Sequence, residues 1–224
     1  MYSFDRKLED PMEEEPEESP EETPEIPPEE PPQEPGEAEK PAGPPTPALA
    51  EKFLKTRTIL IFGEINQKLA QTVTQQLLMM SADSDEDIKI FINSQGGHVE
   101  SGDTIFDMIR FVKPKVKVIG TGWVASAGAL IFAAPPVEDR YCLPNTRFLL
   151  HQPLGGVIGR AQDLAIEAEE IVKMRGRLNE IFARQTGQTL EKIIADTDRN
   201  FWMQAQEAVD YGLVGHIVET ADEV

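Results

Sequence analysis

The 224-residue chain is poor in several residue types, and each shortage narrows what it can do. Its one cysteine, Cys142, excludes an internal disulfide and a thiolate zinc cluster. It stands in the run Tyr141-Cys142-Leu143 and reads as a small core residue. Three histidines make the search for a general base short, and none pairs with carboxylates at metal-ligand spacing, so no metal site is expected. Bases are scarce too, with 21 Lys and Arg against 40 Asp and Glu for a formal net charge of −19. Such a chain lacks the basic excess that displaces counterions from nucleic acid or meets anionic lipid headgroups. No basic segment followed by an apolar one opens it; Met1-Tyr2-Ser3-Phe4-Asp5 leads straight into acids. The uncharged stretch from Val118 to Val137 has bilayer-spanning length, yet Gly120, Gly122, Gly128 and Pro135-Pro136 divide it into short elements. A soluble cytoplasmic protein that binds neither nucleic acid nor membrane is expected.

What is present is unevenly shared. Residues 1–50 hold 16 acids, three bases and 13 of the 18 prolines, so −13 of the charge falls there and −6 on the remainder. With almost no aliphatic or aromatic side chains, that segment cannot bury enough apolar area to offset its chain entropy. A disordered, acidic, proline-rich tail is expected over residues 1–54, and one folded domain over 55–224.

From Thr58 onward, short β-rich runs alternate with amphipathic helical ones. Thr58 to Phe62 reads as a buried strand stopped at Gly63, and Asn66 as the cap of a helix carrying Leu69, Val73, Leu77 and Met80. Ile88 to Ile92 reads as a second strand ended by Asn93-Ser94-Gln95-Gly96-Gly97. A helix through Ile105, Met108, Ile109 and Val112 stops before Pro114. The third strand, Val116 to Ile119, leads into a turn at Gly120-Thr121-Gly122 and a helix from about Ala125. Phe148-Leu149-Leu150 forms a short strand ending at His151, and Leu213 to Ile217 forms the last. Between these, a long helical pattern with Leu164, Ile171, Met174, Leu178 and Ile181 ends at Gly187. The fold class is α/β with a largely parallel sheet.

Few residues carry chemistry. His151 closes an apolar strand, where α/β folds often place reacting groups; His98 follows a glycine pair and His216 lies near the last strand. Ser126, in Val124-Ala125-Ser126-Ala127-Gly128, sits where a strand turns into a helix and free N–H groups favour negative charge. As an isolated serine it reads first as a helix cap. Val124 occupies the first glycine position of Gly-x-Ser-x-Gly, which disfavours an α/β-hydrolase elbow. Gly96-Gly97 lets the backbone bend and expose an amide, and matches no phosphate-binding pattern.

Together these motifs resemble one family. Asn93-Ser94-Gln95-Gly96-Gly97, Ala125-Ser126-Ala127-Gly128-Ala129, Leu143-Pro144-Asn145-Thr146-Arg147 and His151-Gln152-Pro153-Leu154-Gly155-Gly156 look like successive motifs of the Clp protease proteolytic subunit (ClpP) family. So do Arg177-Leu178-Asn179-Glu180, Thr186-Gly187-Gln188 and Asp196-Thr197-Asp198-Arg199, and the 25-residue spacing from serine to histidine agrees. The resemblance implies a crotonase-like α/β spiral with a protruding helical handle. It implies Ser126 as nucleophile, His151 as general base, and the amides of Gly97 and Ala127 as the oxyanion hole. It also implies heptameric rings, homo- or hetero-oligomeric, stacked in pairs around a chamber for unfolded polypeptides. A partner AAA+ unfoldase hydrolyses the ATP in that family, and this chain itself needs no cofactor.

Three departures from the family pattern stand out. Asn200 occupies the third triad position, usually aspartate; it can orient a histidine but supplies no negative charge. Asp198, two residues earlier, is the nearest acid able to compensate. Gln95 replaces the usual proline beside the glycine pair, removing a rigid φ, and Ala127 replaces the usual methionine after the nucleophile. The acidic tail stands where the family has its entrance loops. A serine endopeptidase subunit is the leading reading. The alternatives are a weakly active or structural subunit that assembles with an active paralogue and a crotonase-type acyl-CoA enzyme, the latter disfavoured by the Ser126–His151 pair.

Overall fold

Aliphatic runs supply the strands, and helices with one apolar face cover them. The computed structural model describes residues 47–153 and 161–224. In chain order the elements are α1 (Pro47–Lys55), β1 (Thr58–Ile65), α2 (Gln67–Asp83), β2 (Ile88–Gly97), α3 (Val99–Phe111), β3 (Val116–Ala125) and α4 (Ala127–Phe132). There follow β4 (Arg140–Cys142), β5 (Arg147–Leu150), α5 (Ala161–Thr186), α6 (Leu190–Thr197), β6 (Phe201–Gln204), α7 (Ala205–Asp210) and β7 (His216–Ile217). The sheet runs β1-β2-β3-β4-β7 in parallel. Strand β5 joins β3 in parallel, and β6 pairs with β5 antiparallel. The mixed α/β architecture with a parallel sheet agrees with the expected class. Cys142 is fully buried on β4, and burial pushes its thiol up to about 12, so it is an inert core residue.

Asn66 caps α2 as expected, its side chain accepting from Leu69 N–H at 3.0 Å. Val73, Leu77 and Met80 of that helix are buried in the hydrophobic core, where the helix packs on β1 and α3.

Several boundaries differ from the sequence reading, and glycine accounts for most of them. Gly63 does not stop β1; with φ +76° it absorbs a register shift between Phe62 and Glu64, and the strand runs on to Ile65. The Asn93–Gly97 segment is the continuation of β2 and pairs with that extension, Ile65 against Gly97. No turn forms at 120–122 either: β3 runs through to Ala125 past a shift between Ile92 and Ser94. Glycine permits a bulge as readily as a turn, and here the bulges lengthen the strands by about one turn's worth of residues. At the other end only His216 and Ile217 pair as a strand, while Leu213 and Val214 are buried without pairing.

The tail expected over 1–54 also needs correction at its boundary. Residues 1–46 lie outside the described residues, but 47–54 belong to α1, whose Leu54 packs against the core. Pro47 suits a first helical position, Ala48 to Lys55 are mostly strong helix formers, and Lys55 pairs with Glu51 at 2.8 Å.

The long helix α5 changes character along its length. Residues 162–170 are all exposed, Leu164 and Ile166 included, whereas Leu178, Ile181 and Phe182 are buried in the core. Gly187, at φ +74°, ends it. Its C-terminus is held by Arg140, which is 1% exposed. The guanidinium donates to the carbonyl oxygens of Pro135 (2.7 Å) and Gln185 (2.8 Å) and to Gln185 Oε1 (2.6 Å). Burial, reinforced by the nearby Arg110 and only partly opposed by Glu138, lowers its pKa to about 10, which leaves it charged at neutral pH. Replacing Arg140 with Met leaves these buried acceptors without donors, at about 1–3 kcal/mol each. We expect Arg140→Met to lower the thermal midpoint by several degrees, and an unchanged midpoint would show that the clamp is dispensable.

Candidate active site

Three neighbouring strands end together, and the site is built from the residues that follow or precede those ends. Ala125, last in β3, pairs with Leu149 of β5, and Leu150 of β5 pairs with Phe201 of β6. Stepping off those ends brings Ser126, His151 and Asn200 to one edge of the sheet. Ser126 N–H donates to the Leu149 carbonyl at 2.9 Å, tying the serine to the strand that presents the histidine.

Ser126 adopts φ 56° and ψ −122°, a conformation that L-residues rarely hold and that costs about 1–3 kcal/mol. It makes no side-chain cap bond, so the capping role open to an isolated serine is not what it does here. Close packing allows the bend. A Cβ on Gly96 would lie 2.6 Å from Ser126 Cβ and 2.9 Å from the Ala125 carbonyl oxygen. Gly97, at φ +150°, passes so near Ile65 that any Cβ would overlap its carbonyl. Ala127 opens α4; the helix ladder starts with Leu130 N–H on the Ser126 carbonyl, so the Ala127 amide precedes it and has no intrahelical acceptor.

Gln95 replaces the rigidity of the missing proline by another route. Its amide lies 3.3 Å from the Gly63 carbonyl and 3.2 Å from Glu64 N–H, donating to the first and accepting from the second. Ser94 Oγ also donates to the Gly63 carbonyl and accepts from Gly96 N–H at 3.0 Å. The strand leading to the glycine pair is thus stitched to β1 by side chains.

His151 is half-buried, and burial holds its pKa below the ordinary histidine value while the Gln152 backbone pulls the other way. It shares an apolar cleft with Ser126, walled by Val99, Leu130, Pro153, Leu178 and Phe182. On its other side it shares an open cleft with Asp198, Arg199 and Asn200. No hydrogen bond joins Ser126, His151 and Asn200 among the described residues; such bonds are often long without substrate and tighten around it. Asp198 does not supply the charge that Asn200 lacks. Its carboxylate accepts from Arg175 Nη2 at 3.1 Å and lies 3.7 Å from Arg199 Nη1.

The other histidines have other partners. His98 Nδ1 is 2.9 Å from Ser101 Oγ and its Nε2 is 3.1 Å from Glu100, a serine–histidine–acid array in appearance. Ser101 is 2% exposed, however, so no substrate reaches it, and the array serves the start of α3. His216 stacks on Tyr141 at 5.1 Å. Sequence reasoning passed over the walls of the apolar cleft. Leu178 and Phe182 carried a signal, the helical spacing that turns their face of α5 inward.

A strained serine at a strand-to-helix bend and a half-buried histidine share an apolar cleft on a parallel sheet, an arrangement of the kind a serine peptidase requires. The sequence pattern of the Clp protease family matches residues 45–221. The chain is 60% identical over 186 residues to ATP-dependent Clp protease proteolytic subunit 3 of Rhizobium etli, covering 83% of this chain and 94% of that protein. It is 56% identical over 176 residues to proteolytic subunit 2 of Pseudomonas aeruginosa, covering 79% and 88%. Among solved structures, ClpP1 from Listeria monocytogenes superposes with a TM-score of 0.71 at 56% identity, covering 78% of this chain and 98% of that one. A mutant form of the same protein superposes at 0.73. This chain belongs to the Clp protease family.

Two outcomes follow from this geometry. Gly96→Ala drives a methyl into Ser126 and should slow labelling of Ser126 by a fluorophosphonate about 10²-fold, the usual cost of a 1 Å misplacement, with the circular dichroism spectrum unchanged. Labelling at the parent rate would contradict it. A base must be neutral to accept a proton, and His151 is held neutral to lower pH than an ordinary histidine. The acid limb of kcat/KM should therefore have its midpoint below 6.5, and a midpoint above that value would exclude His151 as the base.

Proposed function

We propose that the chain is a serine endopeptidase subunit that cleaves unfolded polypeptides. The observation that supports this most is the convergence of Ser126, His151 and Asn200 at three adjacent strand ends, with Ser126 held in a strained bend. Ser126 Oγ attacks the scissile carbonyl carbon as His151 takes the hydroxyl proton. The carbonyl electron pair moves onto oxygen, where the Gly97 and Ala127 amides stabilise it, each donor being worth about 2.7–4 kcal/mol. Collapse breaks the C–N bond, His151 returns the proton to the leaving amine, and an acyl-serine remains. Water, deprotonated by the same imidazole, then attacks the acyl carbon; collapse breaks the bond to Ser126 Oγ, which takes the proton back from His151 as the acid leaves. Asn200 stands at the third triad position beside His151 and adds no charge there.

By kinship with subunits named ATP-dependent and proteolytic, the chain works in stacked heptameric rings in the cytoplasm with an unfoldase that hydrolyses the ATP. The exposed first part of α5 is suited to be the handle by which rings meet, and its bare Leu164 and Ile166 favour that role. The fold belongs to the crotonase-like spiral of the family. The identity to proteolytic subunits favours this reading over a structural subunit.

The test is a serine-directed fluorophosphonate applied to the purified protein, alone and mixed with a paralogous subunit, with adducts located by mass spectrometry. An adduct on Ser126 is expected, and its absence in both assemblies would sink the proposal. Restoring the charge with Asn200→Asp should raise peptide hydrolysis at least about tenfold, within the roughly 10⁴-fold that this change is worth in the serine-protease template. A rate unchanged within error would show that the third position does not limit turnover.

A further inference from the structure

The residue after the general base is tethered more firmly than the base itself. Gln152 N–H donates to the Thr197 carbonyl at 2.7 Å, and Gln152 Nε2 donates to the Asp198 carbonyl at 2.8 Å. Both acceptors lie at the C-terminal end of α6, two and three residues before Asn200. Pro153 follows and biases the Gln152 backbone toward an extended conformation.

The acceptor end is itself fixed. Thr197 is 1% exposed, and its Oγ1 lies 2.8 Å from the Ile193 carbonyl and 3.1 Å from Asn179 Oδ1, Asn179 being buried on α5. Asp198 is held by Arg175 of the same helix. Helices α5 and α6 thus form one rigid anchor, and Gln152 is the link from that anchor to His151. His151 has no side-chain bond to Asn200 to perform this task.

We propose that Gln152 is the positioning residue for the general base: its side-chain donor sets where His151 stands relative to Ser126 and Asn200. The inference rests on the serine peptidase reading above. It requires a donor at the reach of Nε2, because the acceptor is a carbonyl oxygen. The requirement separates a positioning role from mere packing, since methionine preserves shape, glutamate preserves shape and polarity, and only lysine preserves an N–H donor of similar reach.

The experiment compares Gln152→Met, Gln152→Glu and Gln152→Lys with the parent in the assembly that labels at Ser126, measuring kcat and KM on a neutral fluorogenic peptide. Thermal midpoints confirm folding of each. We expect Met and Glu to lower kcat about tenfold or more with KM within about twofold, the scale of small misplacements in a reacting pair, and Lys to restore most of the loss. Equal kcat in all four proteins would overturn the inference, as would a loss in Lys equal to that in Met, or a loss expressed in KM. Should the parent neither hydrolyse the peptide nor label at Ser126, the peptidase reading fails first and this one with it. A variant that does not fold is replaced by Gln152→Leu, which also lacks the donor; an unchanged kcat there would likewise overturn the inference.

Discussion

The hydrogen bond from Ser126 N–H to the Leu149 carbonyl is the contact on which the site depends. It continues the parallel pairing of β3 with β5 one residue past the end of the ladder, into a backbone that no longer has strand geometry. Because of it, the serine and the strand leading to His151 move as one body. The bend costs about 1–3 kcal/mol. The helix that follows offsets this easily: Leu130, Ile131 and Phe132 of α4 are all at most 2% exposed, and each buried side chain of that size contributes about 1.5–3 kcal/mol. Strain at the nucleophile is therefore sustained by packing on the helix behind it, and by the absence of a Cβ on Gly96 in front.

How much of this could be read beforehand divides along physical lines. Local signals were legible: the Asn66 cap, the aliphatic cores of β1, β2 and β3, the burial of Cys142 and the stop at Gly187. Glycines inside strands are ambiguous, because the freedom that makes a turn also makes a bulge; Gly63 and Gly120 to Gly122 have the sequence pattern of strand ends and are continuations. Helix α1 was hidden by averaging, since eight good helix formers follow a long acidic, proline-rich stretch. Ser126 and His151 stood out through their motifs and mutual spacing, not from any property of either residue alone. The engagement of Asp198 with Arg175 was invisible, as 23 positions separate them and nothing periodic relates them.

That engagement bears on the third triad position. An aspartate at 200 would place a full charge beside an imidazolium. Asn200 is neutral and exposed, and the carboxylate two residues away is offset by two guanidinium groups. No net negative charge is left on this side to favour a protonated His151. Its lowered pKa has the same direction: burial disfavours the cation, and no nearby anion counters it. The histidine is well suited to accept a proton and poorly assisted in holding it, so whatever fixes the ring in place carries more of the burden than in a charged triad.

Charge elsewhere in the chain has little to do with the chemistry. Of the formal −19, only −6 falls beyond residue 50, and around the site acids and bases pair off, Asp103 with Arg177 and Asp198 with Arg175. The cleft beside Ser126 is walled instead by Val99, Leu130, Leu178 and Phe182. A site of this kind selects by shape and apolar contact, which discriminates weakly between similar side chains, about 1–3 kcal/mol for a methylene. Weak selection at the cleft suits an enzyme acting on unfolded chains of many sequences.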